Sequence, residues 1–112
     1  MREGKIGVAI LGLGTVGTGV AEILSQNRAL IFRRSGVDLE LKKVLVKDPH
    51  KKRDIELQQE IYASEYKTIL EDPQIQIVVE LMGGLHPAKE YIIEALKAKK
   101  AVVTANKAVL AN

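Results

Sequence analysis

Three groups of residues have the types and spacing to do chemistry. The first is Gly12-Leu13-Gly14-Thr15-Val16-Gly17, a G-x-G-x-x-G run. Between a strand and a helix, Gly12 allows a tight turn, Gly14 lets a pyrophosphate approach the backbone, and Gly17 lets the helix pack closely on the strand. Amides at the helix start, including those of Thr15 and Val16, then face the phosphates with the helix dipole behind them. The alternative is a glycine-rich turn with only a packing role; no Gly-Lys-Ser/Thr triplet follows, which argues against a P-loop.

The second group begins at Lys47 and runs through Asp48, His50, Lys51, Lys52 and Arg53. A cation at Lys47, at the carboxyl end of the second strand, favours the 2′-phosphate of NADP, while the adjacent Asp48 leaves NAD open. A solvated basic loop is the plainer alternative. Asp38 and Glu40 have roughly the 20-residue spacing of an NAD ribose ligand, but they begin their strand and so sit on the wrong edge. The third group lies further on, at Met82, Gly83 and Gly84 and at Thr104, Asn106 and Lys107. The two glycines fit either a cofactor passing close to the chain or an ordinary strand-to-helix turn. On spacing alone Lys107 fits either a surface lysine or a cation beside a hydride acceptor. His50 and His86 have no evident carboxylate partner and are not read as metal ligands; no metal site is expected.

These residues need elements to hold them. Lys5–Leu11 is a short apolar run ending in glycines, as in a buried strand. Val16, Val20, Ile23, Leu24, Leu30 and Ile31 fall at helical spacing, so one amphipathic helix is expected from Thr15 to Ile31. Ser35-Gly36 is a turn, and Leu39–Val46 a second strand that Asp48-Pro49 ends. Lys51–Ile61 reads as loop with some irregular helix. Ser64–Leu70 reads as a short helix with Ser64 as N-cap, closed by Asp72-Pro73. Ile75–Leu81 is a third strand. Pro87 precedes a helix carrying Ala88, Tyr91, Ile92, Ala95 and Leu96, and Lys97, Lys99 and Lys100 complement its dipole. Ala101–Thr104 is a fourth strand, and residues 107–111 begin another helix. Strands alternating with helices predict an α/β fold: a Rossmann-like parallel sheet with helices on both faces.

Composition narrows the function. The chain has 112 residues, 17 basic against 14 acidic for a net charge of +3, no Cys and 4% aromatic residues. That length fits one domain, read as 1–112. The mild basic excess suits an anionic small molecule and not a nucleic-acid platform, which needs a stronger basic stripe and stacking aromatics. Without Cys there are no disulfides, thiolate nucleophiles or Cys-ligated zinc. No apolar stretch reaches the roughly 18 residues of a membrane span and no signal peptide is evident, so a cytoplasmic protein is expected. Six of the nine glycines lie in the first nineteen residues, a density that points to a backbone requirement.

The segments GLGTVGTGV at 12–20, VVELMGGLHPAKEYIIEAL at 78–96 and VVTANKAVLA at 102–111 resemble the N-terminal nucleotide-binding domain of homoserine dehydrogenase. The resemblance covers essentially the whole chain. It implies reversible oxidation of L-homoserine to L-aspartate 4-semialdehyde with NADP or NAD, in threonine, methionine and isoleucine biosynthesis. It further implies that Gly12, Leu13, Gly14, Thr15, Val16 and Gly17 bind the pyrophosphate and that Lys47 meets the adenosine ribose or its phosphate. Met82, Gly83, Gly84, Thr104 and Asn106 then surround the nicotinamide side. Lys107 matches the family's lysine at the cofactor–substrate boundary, in proton transfer or in contact with the reacting oxygen. A positioned amine suits that role, because hydride loss from a carbinol carbon requires loss of the hydroxyl proton.

The family enzyme is longer, and its substrate-binding part supplies further catalytic groups and much of a homo-oligomer interface. A truncated sheet without a catalytic domain, inactive alone, is therefore expected. A stand-alone nucleotide-binding or redox-sensing module and a related dehydrogenase, such as one acting on aspartate, are the competing readings.

Overall fold

The structure, a computed structural model, describes residues 4–53, 55–82, 84 and 86–104. Five parallel strands form one sheet: β1 (Lys5–Leu11), β2 (Asp38–Leu45), β3 (Tyr62–Ala63), β4 (Ile77–Glu80) and β5 (Ala101–Thr104), in the spatial order β3-β2-β1-β4-β5. The chain thus leaves β1 toward one edge and later returns to its other side, which makes β1 the point where strand order reverses. In open α/β sheets ligands bind outside the carboxyl ends of the strands at that point.

Alternation along β1 builds two cores. Val8 and Ile10 face one side, packed with Ala21 and Leu24 of α1 (Thr15–Gln26) and with Leu41 and Val44 of β2. Ala9 and Leu11 face the other, packed with Tyr66 and Ile69 of α3 (Tyr66–Leu70) and Ala95 of α4 (Ala88–Lys97). A strand buried on both faces reads as a continuous apolar run, as KIGVAIL does. The Rossmann-like sheet with helices on both faces is therefore present.

Several boundaries differ from the sequence reading. The helix expected from Thr15 to Ile31 is two helices, α1 and α2 (Arg28–Ser35), because Asn27 leaves helical geometry at φ −112° and ψ 20°. Its N–H closes α1 on the Ile23 carbonyl (3.0 Å) and its own carbonyl accepts from Ile31 N–H (2.9 Å) to open α2. Gly36 then ends α2 with a left-handed φ of 76°. Among the described residues there are five strands where four were expected. The extra one, β3, has two residues, too few to show a period, and is held where Val46 N–H donates to the Ala63 carbonyl (2.8 Å). Helix α3 is capped at Glu65, with no side-chain cap bond from Ser64. Strand β2 is displaced by one residue from the expected Leu39–Val46, and β4 is shorter than the expected Ile75–Leu81 at both ends. Lys100 does not serve its own helix end. It is 7% exposed, and its Nζ donates to the carbonyls of Asp72 (2.8 Å) and Ile75 (2.7 Å), stitching the turn before β4 to the start of β5.

Candidate functional site

The glycine turn leaves β1 after the fully buried Leu11. Gly12 adopts φ +93°, open to glycine at little cost, and its N–H donates to the Leu45 carbonyl of β2 (3.0 Å). Gly17, in the first turn of α1, lies so close behind that a Cβ there would be 2.5 Å from the Gly12 carbonyl oxygen. Gly14 is the opposite case: a Cβ there would meet no protein atom within 4 Å. Packing therefore demands glycine at 17 but leaves the space beside Gly14 to something else. The Thr18 N–H donates to the Gly14 carbonyl (2.8 Å). The amides of Thr15, Val16 and Gly17 precede it at the helix start, where no earlier turn supplies acceptors. Val16 is 63% exposed, so this end of α1 is open.

The turn opens onto a cleft of about 590 Å³. Gly12, Leu13 and Gly14 form its floor, Lys47, Lys51 and Arg53 stand on the β2 side, and Met82, His86 and Tyr91 on the β4 side. Lys47 is exposed there, one residue beyond the buried Val46. Arg53 is committed to its own loop: its guanidinium donates to the carbonyls of Lys51 (2.9 Å) and Asp48 (2.7 Å) and lies 5.0 Å over the Tyr62 ring. Asp48 Oδ1 accepts the His50 N–H (3.0 Å), an Asx turn that shapes the same loop.

Asp38 and Glu40 are elsewhere. The Arg28 guanidinium donates to both carboxylate oxygens of Asp38, at 2.6 and 3.0 Å, and reaches Glu40 at 3.8 Å. The hydrogen bond to Asp38 pushes the Arg28 pKa up. Arg28 and Glu40 line a second hollow of about 520 Å³ beside the middle of β2, sharing no residue with the glycine cleft.

Beyond β4 the sequence reading missed two groups. Glu80, the last residue of β4, is fully buried; its Oε2 accepts the Met82 N–H (2.7 Å) and its Oε1 the Thr104 hydroxyl (2.6 Å). The signal was a lone carboxylate ending the apolar run IQIVVEL. His86 does have a carboxylate partner: its Nδ1 is hydrogen-bonded to Glu90, one helical turn on. Gly84 has φ +76° and Thr104 ends β5 beside Glu80. Gly83, Asn106, Lys107 and the helix expected at 107–111 lie outside the described residues. Among the described residues no three His, Cys, Asp or Glu side chains gather as metal ligands, and no helix is long and apolar enough to cross a membrane.

A glycine turn and an open helix N-terminus at the reversal point of a parallel sheet define a dinucleotide-binding domain of the Rossmann class. Residues 12–112 match the NAD-binding domain of homoserine dehydrogenase, and the chain belongs to that family. It is 42% identical over 106 residues to homoserine dehydrogenase of Bacillus subtilis strain 168, covering 95% of this chain and 24% of that protein. The corresponding enzyme of Synechocystis sp. strain PCC 6803 is 45% identical over 106 residues, covering 93% of this chain and 24% of that protein. The crystal structure of S. aureus homoserine dehydrogenase superposes with a TM-score of 0.84 at 43% identity, over 92% of this chain and 26% of the other. The chain thus spans about a quarter of the length of these relatives.

Proposed function

We propose that this chain is the cofactor-binding part of an enzyme that interconverts L-homoserine and L-aspartate 4-semialdehyde with NADP or NAD, NADP being favoured. One observation carries the reading: the glycine turn that floors the cleft belongs to a segment matching the NAD-binding domain of homoserine dehydrogenase. The residues fit a dinucleotide, because the space beside Gly14 is unclaimed by protein while the turn around it is tightly packed.

In this reading residues 12–17 cradle the pyrophosphate through backbone amides. Lys47, exposed at the cleft wall, meets the adenosine ribose or its 2′-phosphate. Met82, Gly83, Gly84, Thr104 and Asn106 enclose the nicotinamide side. The bound cofactor supplies the hydride acceptor. Lys107 holds or moves the proton of the substrate's terminal hydroxyl, the role a positioned amine can fill at a carbinol carbon. Residues 1–112 act as one domain of a cytoplasmic homo-oligomer.

The test is a spectrophotometric assay of the full-length enzyme that carries this chain. Homoserine-dependent reduction of NADP or NAD is expected, with Lys107→Met lowering kcat by about 10²-fold or more, the scale of a lost acid–base group. Reduction with another substrate but not homoserine would refute the assignment.

A further inference from the structure

We propose that Glu80 is a positioning residue for the nicotinamide side of the cleft, acting through the Met82 amide and the Thr104 hydroxyl; this rests on the dinucleotide reading above. Its backbone is an interior rung of the sheet, opposite Leu11 of β1 and Thr104 of β5. Its side chain is 0% exposed, among residues that are otherwise aliphatic on this strand. A buried carboxylate is costly even when hydrogen-bonded, and an apolar side chain of similar volume commonly serves stability as well or better. Packing alone therefore gives no reason for a carboxylate here.

Geometry gives one. The two oxygens are divided between two segments: Oε2 takes the N–H of Met82, in the chain leaving β4, and Oε1 takes the hydroxyl of Thr104, at the end of β5. Hydrogen bonds of 2.6 and 2.7 Å fix the relative position of two strand exits more firmly than apolar contact, which does not set direction. Both exits lie on the β4–β5 side of β1, away from the wall that carries Lys47. Met82 also backs the glycine turn, since a Cβ on Gly12 would come within 3.2 Å of its Cγ. Glu80 thus locks the β5 exit to the floor of the cleft.

Glu80→Met preserves volume and removes both bonds, Glu80→Gln keeps an acceptor for Met82, and Thr104→Val severs one arm. In the full-length enzyme each is compared for binding of NADPH and of 2′-phospho-ADP-ribose, which lacks nicotinamide. Glu80→Met is expected to weaken NADPH about tenfold, the scale of losing one hydrogen bond, with 2′-phospho-ADP-ribose within about twofold. Glu80→Gln should recover most of the loss. The Glu80→Met/Thr104→Val pair should bind no worse than Glu80→Met alone, since both break one brace. Should Glu80→Met not fold, the Glu80→Gln and Thr104→Val comparison decides by the same difference between ligands. Equal losses for the two ligands, or none for either, would overturn the positioning role. An unaltered enzyme that binds neither ligand would instead overturn the dinucleotide reading on which it rests.

Discussion

Gly17 lies directly behind Gly12: a Cβ on Gly17 would stand 2.5 Å from the Gly12 carbonyl oxygen and 3.2 Å from its carbon. Neither neighbour is a flexible side-chain tip, so the helix or the turn must move to admit one methyl. Gly17→Ala is expected to destabilise the domain by about 1–3 kcal/mol, the usual cost of overpacking. Gly14→Ala has open space and an ordinary φ of −81°, so it should leave the unfolding midpoint nearly unchanged while weakening dinucleotide binding. Denaturant unfolding and cofactor titration of the two variants separate the roles. Equal stability loss at both positions would show that the space beside Gly14 is not free.

Lys47 and Asp38 make a second contrast. Lys47→Glu should weaken NADPH relative to NADH by about tenfold or more, as expected if one cation facing a phosphate is replaced by an anion. An unchanged preference ratio would show that Lys47 does not read the 2′-phosphate.

Asp38→Asn should leave that ratio untouched, because Asp38 is held by Arg28 at the far end of β2. It should cost roughly 0.5–1 kcal/mol of stability, the measure of a partly exposed ion pair. A change in cofactor preference without loss of stability would contradict the placement.

What was legible in the sequence follows the range of the interactions. The tight turn at Gly12 and the close packing at Gly17 are set within six residues of chain, so spacing revealed them. Gly7 was not legible: its Cβ would lie 1.8 Å from the carbonyl oxygen of Gln74, a neighbour brought in only by the pairing of β1 with the chain entering β4. Strand β3 has no period to read, and the break at Asn27 breaks no apolar stripe. Glu80 and Lys100 were opaque for a shared reason. A charge at the end of an apolar run reads as solvent-facing, and only the fold supplies the Thr104 hydroxyl or the Asp72 and Ile75 carbonyls that satisfy it.

Lys100→Met tests that stitching. Methionine keeps the apolar stem but leaves the two carbonyls without the ammonium, so a loss of about 1–3 kcal/mol is expected. Burial lowers the Lys100 pKa, so part of the bond energy is already offset by desolvation. Unfolding at neutral pH measures the balance, and a stabilised variant would show that desolvation outweighs the two bonds.

Tyr66 gives a pH dependence with a definite sign. Its ring stacks on Tyr91 at 4.1 Å, and its hydroxyl donates to the Tyr91 carbonyl (2.6 Å). Burial, with smaller contributions from Glu94 and Tyr91, pushes its pKa from 10.0 up to about 12. The folded state thus favours the protonated phenol. Between these values the unfolded chain releases the proton that the folded chain keeps, so stability falls as pH rises through this window and is fully present below it. Tyr66→Phe should cost about 1 kcal/mol at neutral pH through the lost hydrogen bond. It should also remove both the stability slope between pH 10 and about 12 and the late step in tyrosinate absorbance. A difference titration, wild type minus Tyr66→Phe, isolates this group from the other tyrosines; a step at the ordinary value near 10 would mean that the phenol is not buried against α4.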